Sequence, residues 1–304
     1  MGIIFGPINS RRFGKSLGVD LSPNVKQCNF DCLYCELKSV DVVDNQSSIV
    51  SVADILAEIK SALSSHKDID VLTLTANGEP TLYPYLDELI DGINAIKGEV
   101  KTLILTNAST IGDSSIQNAL VKLDSVKLSL DCATKQCFKK LDRASSSVDL
   151  DKIKDGMLEF KDKFSGDLLI EVLFVAGIND NTFEVSKIDE FLRVLKPTRV
   201  DIGTIDRPPA YDIKPVSYDR LYELSLDFSN SLNVALATKQ PNNKAKFNYT
   251  KEEILQTLSL RPLTLEDIDT LFNSDSVEKF NELKEDGLIV SKMSAGVEFY
   301  ATKE

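Results

Sequence analysis

Residues 28–35 read Cys-Asn-Phe-Asp-Cys-Leu-Tyr-Cys and place three thiols, Cys28, Cys32 and Cys35, in one short loop. Thiolates are the usual ligands of iron–sulfur clusters, and a cubane [4Fe–4S] cluster has four irons that need a ligand. Three cysteines hold three of those irons and leave the fourth open to a small molecule. The spacing therefore predicts a [4Fe–4S] centre with an open metal position, which is typical of a site that carries out chemistry.

A structural zinc site would normally have a second pair of cysteine or histidine ligands. The other cysteines are Cys132 and Cys137, far along the chain, and the only histidine is His66. Zinc binding and unrelated free thiols stay open as alternatives. We interpret Cys132 as a small core residue and Cys137 as a helix residue, because free cysteine is commonly buried. His66 is interpreted as a solvated loop residue.

The cysteine run, with the aromatic Tyr34 just before its last cysteine, resembles the signature of the radical S-adenosylmethionine (radical SAM) superfamily. The stretches Gly-Pro-Ile-Asn-Ser-Arg-Arg (6–12) and Ser-Leu-Gly-Val-Asp (16–20) resemble one branch of it, related to the wyosine-base synthases of transfer RNA modification. The resemblance spans residues 6–240. It implies that S-adenosylmethionine (SAM) binds the open iron. Reductive cleavage of SAM then gives methionine and a 5′-deoxyadenosyl radical, which abstracts hydrogen from a substrate.

The 304 residues carry a formal net charge of −12, and 42% of them are hydrophobic, as in an ordinary globular protein. No apolar run reaches the ~18 residues of a membrane span. The start of the chain has neither the charged region nor the cleavage site of a signal peptide. Five unevenly placed cysteines do not make a disulfide framework. We therefore expect a cytoplasmic protein without a membrane partner.

Short apolar runs alternate with longer amphipathic stretches along the chain. The predicted strands are 17–21, 70–75, 102–106, 126–130, 168–175 and 199–204, with 233–237 as a possible last strand. The predicted helices between them are 52–63, 82–96, 115–123, 150–164, 183–195 and 218–231. Strict alternation predicts an α/β fold with parallel strands and helices on one face. The resemblance implies that this sheet forms a partial (β/α)6 barrel, the radical SAM barrel.

Polar residues follow several predicted strands, at the carboxyl ends where such folds carry their chemistry. Gly78, Glu79 and Pro80 follow the second strand. They resemble the superfamily segment that binds the amino group of SAM, although the same residues also suit a polar turn. Asn107 follows the third strand, where it either contacts the cofactor or marks the point at which the strand meets water.

The fourth strand ends with Ser129 and Asp131, which alternation places on one face together with Lys127. If that face is the barrel lumen, the hydroxyl and carboxylate groups can contact ribose hydroxyls of the cofactor. Otherwise they are a strand end that becomes polar at the surface. Glu171 on the fifth strand also points inward by alternation. A buried carboxylate needs a partner, which is either the cofactor or a lysine such as Lys127.

Five further residues are candidates for cofactor or substrate contacts. Tyr34 either stacks near the adenine of SAM or covers the cluster from solvent. Arg11 and Arg12 are suited to an anionic substrate group, but they can equally be surface charges. Asp206 and Arg207 follow the sixth strand in a loop with two prolines. That loop either contacts substrate or caps the barrel.

The chain divides by pattern into a barrel (1–240), a polar linker (241–248) and a small α+β domain (249–304). The last part shows three helices, 251–258, 264–271 and 276–286, and a hairpin of 288–291 with 297–301. This order resembles a winged helix. Residues 249–304 hold six lysines and arginines against twelve acids. A DNA-binding face should be basic, so we expect no DNA partner and favour protein or peptide binding, or structural support.

The predicted function is that of a radical SAM enzyme that abstracts hydrogen from a macromolecule, with a small electron-donor protein as partner. The wyosine-branch resemblance favours RNA as the substrate, whereas the acidity of the chain favours a protein or peptide. The chain lacks the extra cluster cysteines expected of a wyosine-type synthase. The alternative is a non-catalytic iron–sulfur or zinc protein with a regulatory winged helix.

Overall fold

The computed structural model describes residues 2–10, 12–236, 246–260, 262–294 and 297–303. Its main element is an eight-stranded sheet in which the strands follow one another in chain order. The strands are β1 Ile4–Ser10, β2 Gly14–Asp20, β3 Val71–Thr75, β4 Lys101–Thr106, β5 Ser125–Ser129, β6 Asp167–Phe174, β7 Arg199–Thr204 and β8 Val234–Leu236. β1 pairs antiparallel with β2, and every later pair is parallel.

Helices follow the parallel strands, as the alternation predicts. They are α1 Val52–Ser65, α2 Leu86–Ile96, α3 Ser114–Leu120, α4 Lys135–Leu141, α5 Leu150–Lys163, α6 Thr182–Leu195 and α7 Tyr218–Leu226, with a short 3-10 helix Pro80–Leu82 before α2. The apolar residues of one sheet face, such as Leu72, Ile104 and Ile170, are fully buried in the core that these helices share with the sheet. The α/β prediction is confirmed.

The sheet curls into an open barrel. Arg12 lies in the turn between β1 and β2, and Asp201 lies on β7, five strands away from β2 in the sheet. Five spacings of about 4.8 Å would separate them by roughly 24 Å in a flat sheet. Arg12 Nη1 nevertheless lies 2.9 Å from Asp201 Oδ2. Strands β2 and β7 therefore approach each other across a lumen, as the predicted partial barrel requires.

Two elements of the barrel were not predicted. β1 contains Gly6 and Pro7, which are poor strand formers and hide its pattern. α4 is a short helix of seven residues, three of them lysines, and the sequence analysis placed no helix there. None of the described helices is long and apolar enough to cross a membrane.

The C-terminal residues form α8 Lys251–Leu260, α9 Leu265–Leu271 and α10 Ser274–Glu285, followed by the antiparallel pair β9 Ile289–Ser294 and β10 Val297–Thr302. Three helices and a strand pair are the predicted order, and the winged-helix assignment stays a prediction. This unit has its own apolar core, which includes Tyr249 and Phe272 but also Ile8 of β1. The Tyr249 hydroxyl donates to the Pro7 carbonyl. β1 thus contributes to both units, and the predicted linker lies mostly outside the described residues, which resume at 246.

Candidate active site

The loop that carries the three cysteines, residues 28–35, follows β2 and is anchored by the buried Gln27. The Gln27 side-chain oxygen accepts hydrogen bonds from the backbone N–H groups of Ser47 (2.6 Å) and Ser48 (2.9 Å). Its backbone N–H donates to the Asn77 carbonyl, and its carbonyl accepts from the Glu79 N–H, both at 2.9 Å. The start of the cysteine loop is therefore fixed to the segment that follows β3.

The three loop cysteines are unpaired and partly exposed. Cys28 Sγ accepts from the Phe30 N–H at 3.4 Å, and Cys35 Sγ accepts from Lys26 Nζ at 3.5 Å. Burial, helped by the nearby Glu79 charge, raises the pKa of Cys28 to about 12. Coordination to a metal displaces the proton of a thiol. The donors directed at Cys28 and Cys35 would stabilise the resulting thiolates, so these residues fit a bound metal centre.

The loop thiols suit a cluster better than a single zinc ion. Thiolates around one zinc at about 2.3 Å lie about 3.8 Å apart. Among the described residues, the three potential ligand atoms found within 4.8 Å of one another belong to Cys132, Cys137 and Glu184, and not to the loop cysteines. Those three residues already have partners within the protein. Cys132 and Cys137 form a disulfide, and Glu184 accepts hydrogen bonds from the N–H groups of Ala133 and Thr134.

The disulfide corrects one expectation from the sequence. Cys132 is buried and Cys137 lies in α4, as predicted, but the two are bonded to each other instead of being separate thiols. Their Cα atoms are 5.5 Å apart, an ordinary separation for a disulfide. His66 does not reach the cysteine loop, since its Nε2 lies 3.2 Å from a Glu253 carboxylate oxygen of α8.

Gly78 has a structural reason to be glycine. Its φ is +135°, and a Cβ built there would lie 1.9 Å from the Gln27 carbonyl oxygen. Only glycine allows the backbone after β3 to approach the cysteine loop so closely. Pro80 is buried and begins the 3-10 helix. The predicted SAM contacts of both residues stay predictions.

Glu79 is buried, and both of its carboxylate oxygens contact the protein. Oε1 accepts from the Thr81 N–H (2.9 Å), the Thr81 hydroxyl and the Thr106 hydroxyl (both 2.6 Å), and Oε2 accepts from the Asn107 N–H (2.8 Å). Burial raises the pKa of Glu79, and these hydrogen bonds oppose that rise. The carboxylate joins the ends of β3 and β4, while a contact of Glu79 with the SAM amino group stays a prediction.

A pocket lies beside the cysteine loop. Four of the predicted cofactor residues line it together: Tyr34, Asn107, Ser129 and Asp131. Asn107 Nδ2 is also 3.8 Å from Cys28 Sγ, which connects the pocket wall to a predicted metal ligand. Phe30, which precedes Cys32 in the loop and has the same two possible roles as Tyr34, also lines the pocket. The other lining residues, which the sequence did not mark as site residues, are Leu130, Cys132, Phe138, Asp142, Leu150 and Ile153.

Asp131 connects three parts of the site. Its Oδ2 accepts a hydrogen bond from the Tyr34 hydroxyl, and its Oδ1 accepts from the Leu173 N–H of β6 at 2.6 Å. The pKa of Asp131 is raised to about 7, chiefly by burial and also by the nearby Glu171, and both hydrogen bonds oppose this rise. Tyr34 is therefore held in place at its hydroxyl end.

An ion-pair network occupies the lumen. Asp201 is fully buried and lies near Arg12 (2.9 Å), Arg199 (2.8 Å) and Lys127 (3.3 Å). Lys127 also pairs with Glu171. The sequence left either the cofactor or a lysine as the partner of Glu171, and in the structure the partner is Lys127. Arg12 points inward to Asp201 instead of lying on the surface, and Arg11 lies outside the described residues.

The loop after β7 packs against the cysteine loop. Arg207 Nη1 donates to both carboxylate oxygens of Glu36, at 2.6 and 2.8 Å, and the Ala210 N–H donates to the Cys35 carbonyl at 2.8 Å. Asp206 is exposed. Arg207 thus supports the loop, which fits the capping alternative, and the substrate role of both residues stays a prediction.

Two residues that the sequence did not mark also hold the cysteine loop. The Tyr211 hydroxyl donates to Asp31 Oδ2 at 2.5 Å, and Arg143 Nη2 lies 3.1 Å from the same oxygen. The Arg143 guanidinium stacks on the Tyr211 ring, 4.7 Å from its centroid. Neither has a local sequence signal, because their partner is more than a hundred residues away in the chain.

The family model of the radical SAM superfamily matches residues 25–187 of this chain. A UPF0026 protein of Helicobacter pylori (strain J99) is 40% identical over 98% of this chain and 97% of its own length. Streptococcus suis SuiB bound to precursor peptide SuiA has a similar fold, with a TM-score of 0.58 and 19% identity over 73% of this chain and 48% of that one. TYW1 with a lysine-pyruvate adduct bound also has a similar fold, with a TM-score of 0.51 and 17% identity over 69% of this chain and 72% of that one. The chain belongs to the radical SAM superfamily, in one family with the Helicobacter protein, and is a SAM-dependent enzyme.

Proposed function

We propose that Cys28, Cys32 and Cys35 hold a [4Fe–4S] cluster with which the protein cleaves SAM reductively and abstracts hydrogen from a macromolecular substrate. One observation carries the proposal: three free thiols share a loop beside a pocket, while the remaining cysteines are joined in a disulfide and the one histidine pairs with Glu253. When bound, such a cluster supplies the electron that breaks the C5′–S bond of SAM. The three cysteines would leave the fourth iron without a protein ligand, so that it would be available to the amino and carboxylate groups of SAM.

The protein's own residues orient the cofactor and exclude water. Tyr34, Asn107, Ser129 and Asp131 line the pocket and offer hydroxyl, amide and carboxylate groups to the ribose and adenine of SAM. Tyr34 is kept in one position by Asp131. The apolar lining beside them keeps solvent away from a reactive radical.

A polypeptide is the substrate class that we favour. The net charge of −12 opposes the binding of RNA, whose affinity for proteins comes mainly from lysine and arginine contacts with phosphates. SuiB, which shares the fold, is bound to a precursor peptide in its structure. RNA is the other outcome of the test below. A small flavin or iron–sulfur protein would supply the electron.

The unit of residues 249–304 is proposed to support the barrel edge. α8 and Tyr249 contact β1, and Ile8 of β1 completes the apolar core of the unit. Covering an edge strand also prevents it from pairing with other chains. The excess of acids in this unit argues against DNA binding.

The proposal is tested on protein reconstituted with iron and sulfide under anaerobic conditions. Four irons and four sulfides per chain are expected for the [4Fe–4S] cluster, and bound zinc without sulfide would contradict it. The reconstituted protein is then used to capture binding partners, with RNA and polypeptide scored separately. Retention of RNA in place of polypeptide would overturn the substrate class but leave the cluster chemistry intact.

A further inference from the structure

Asp142 lines the same pocket and was not marked by the sequence. It follows the last residue of α4 and is only 4% exposed. No hydrogen bond or ion pair of its carboxylate occurs within the described residues, although its backbone N–H donates to the Phe138 carbonyl. A buried polar side chain without a partner is rare in proteins and calls for an explanation.

The surroundings of Asp142 are unfavourable to a carboxylate in three ways. Burial raises the pKa of Asp142, and the nearby carboxylates of Asp131 and Glu184 raise it further. The group also lies at a helix C-terminus, where the helix dipole disfavours negative charge. Among the described residues, no hydrogen-bond donor or cation contacts the Asp142 carboxylate to offset these effects. Such a group is better explained by a ligand than by folding.

The pocket indicates which part of SAM would meet Asp142. Among the described residues that line the pocket, two are acids and none is a lysine or arginine, so the carboxylate of the methionine part has no cation to pair with there. The other walls are largely apolar, with Phe30, Phe138 and Leu150 among them, and suit a planar base. The nucleoside of SAM is the part that combines an apolar ring with uncharged donors, namely two ribose hydroxyls and the 6-amino group of adenine.

We propose that Asp142 forms a hydrogen bond with the nucleoside of SAM and so positions it beside the cysteine loop. This inference rests on the proposed function. Asp131 already has two donors, from Tyr34 and Leu173. Asp142 has none among the described residues, so its oxygens are available to the ligand.

The test measures binding to the cluster-loaded protein and two variants. Asp142→Ala removes the carboxylate without filling the pocket, and Asp142→Asn keeps one acceptor oxygen. We expect the affinity for SAM and S-adenosylhomocysteine to fall about 10- to 100-fold in the alanine variant, as for a buried polar group of the ligand that is left without its hydrogen-bond partner. The asparagine variant should be intermediate, and binding of methionine alone should not change.

Two further measurements separate ligand binding from a structural role. Iron content and the urea midpoint of the alanine variant should not fall, because the substitution removes an unpartnered buried acid. Asp162→Ala, at an exposed acid of α5, is the matched control and should leave all values unchanged. Comparing S-adenosyl- with S-inosylhomocysteine then assigns the donor. If wild type prefers the adenosyl compound and Asp142→Ala does not, the donor is the 6-amino group. If Asp142→Ala loses affinity for both compounds equally, the donor is a ribose hydroxyl.

The measurements distinguish a failure of the role proposed for Asp142 from a failure of the proposed function. If the wild-type protein binds SAM and Asp142→Ala binds it equally well, the inference is wrong while the proposed function stands. The inference is also wrong if the variant loses iron in place of nucleoside affinity. If the wild-type protein assembles no cluster and binds no SAM, the proposed function fails, and the role of Asp142 fails with it.

Discussion

The hydroxyl group of Tyr34 donates a hydrogen bond to the carboxylate of Asp131 and so joins the cysteine loop to the end of β5. The same carboxylate accepts from the Leu173 N–H of β6. Tyr34 immediately precedes Cys35, so this bond orients the predicted metal ligands relative to the sheet. The pocket wall and the cysteine loop therefore form one connected unit.

Replacing Tyr34 with phenylalanine should weaken that connection. Tyr34→Phe leaves the buried Asp131 carboxylate with a single donor, and we expect a loss of about 1–3 kcal/mol in the free energy of unfolding. Urea unfolding of the cluster-free protein measures it. Tyr85→Phe, at a tyrosine that is half exposed, is the control and should change little. Equal stability of the two variants would contradict the role of the Tyr34–Asp131 bond.

Asp131 should make stability depend on pH. Its pKa is 3.8 in an unfolded chain and about 7 in the folded one. Between these values the folded state keeps a proton that the unfolded state has lost, so this group lowers stability as pH rises from about 4 to about 7. Asp131→Asn removes the ionisable group. Its free energy of unfolding relative to that of wild type should therefore increase between about pH 4 and about pH 7, by more than about 1 kcal/mol.

Urea unfolding at the two ends of the window, and again above it, measures the difference between Asp131→Asn and wild type. Above the folded pKa the difference should stay constant. A difference that is flat throughout, or that favours the wild type as pH rises, would show that Asp131 does not have a raised pKa.

Two glycines with positive φ should respond differently to alanine. Gly78→Ala places a methyl group 1.9 Å from the Gln27 carbonyl oxygen, whereas Gly98, with φ +57°, has nothing within 4 Å of its Cβ position. Gly98→Ala should cost only the conformational penalty of about 1–2 kcal/mol. Gly78→Ala should cost more than that and also lower the amount of iron retained, because it moves the cysteine loop. Denaturant titration and iron analysis measure both effects, and similar values for the two variants would contradict the close approach.

The lumen network should be sensitive to the loss of its central acid. Asp201→Asn leaves Arg12, Lys127 and Arg199 facing a neutral side chain in a buried position. Breaking a buried ion pair by removing one partner typically costs about 3–5 kcal/mol. The exposed acid Asp68, which pairs with Lys15, is the control, and Asp68→Asn should cost less than about 1 kcal/mol. Thermal and urea unfolding of both variants check this, and an unaffected Asp201→Asn would show that the network adds no stability.

The sequence predicted what local pattern can encode. The cysteine spacing, the alternation of strands and helices, and the convergence of Asn107, Ser129 and Asp131 at the strand ends all follow from short-range periodicity, and the pocket brings these three together. Glu171 was expected to point inward and does meet Lys127.

The remaining features depend on contacts between distant residues. Arg12 meets Asp201 only because the sheet curls, which no local period shows. The unpartnered state of Asp142 depends on what the whole fold brings near it, so a single acid after a short helix gave no signal. Gly78 was expected to approach a ligand, and the structure shows it against the backbone of Gln27.

Whether the cysteine loop holds a cluster that cleaves SAM is measured by the amount of 5′-deoxyadenosine that the anaerobically reconstituted, chemically reduced protein forms from SAM. We expect 5′-deoxyadenosine from the wild-type protein and none above background from Cys28→Ala, Cys32→Ala or Cys35→Ala. No 5′-deoxyadenosine from a wild-type protein that carries its full complement of iron and sulfide, or an undiminished amount from any of the three variants, would contradict the proposed function.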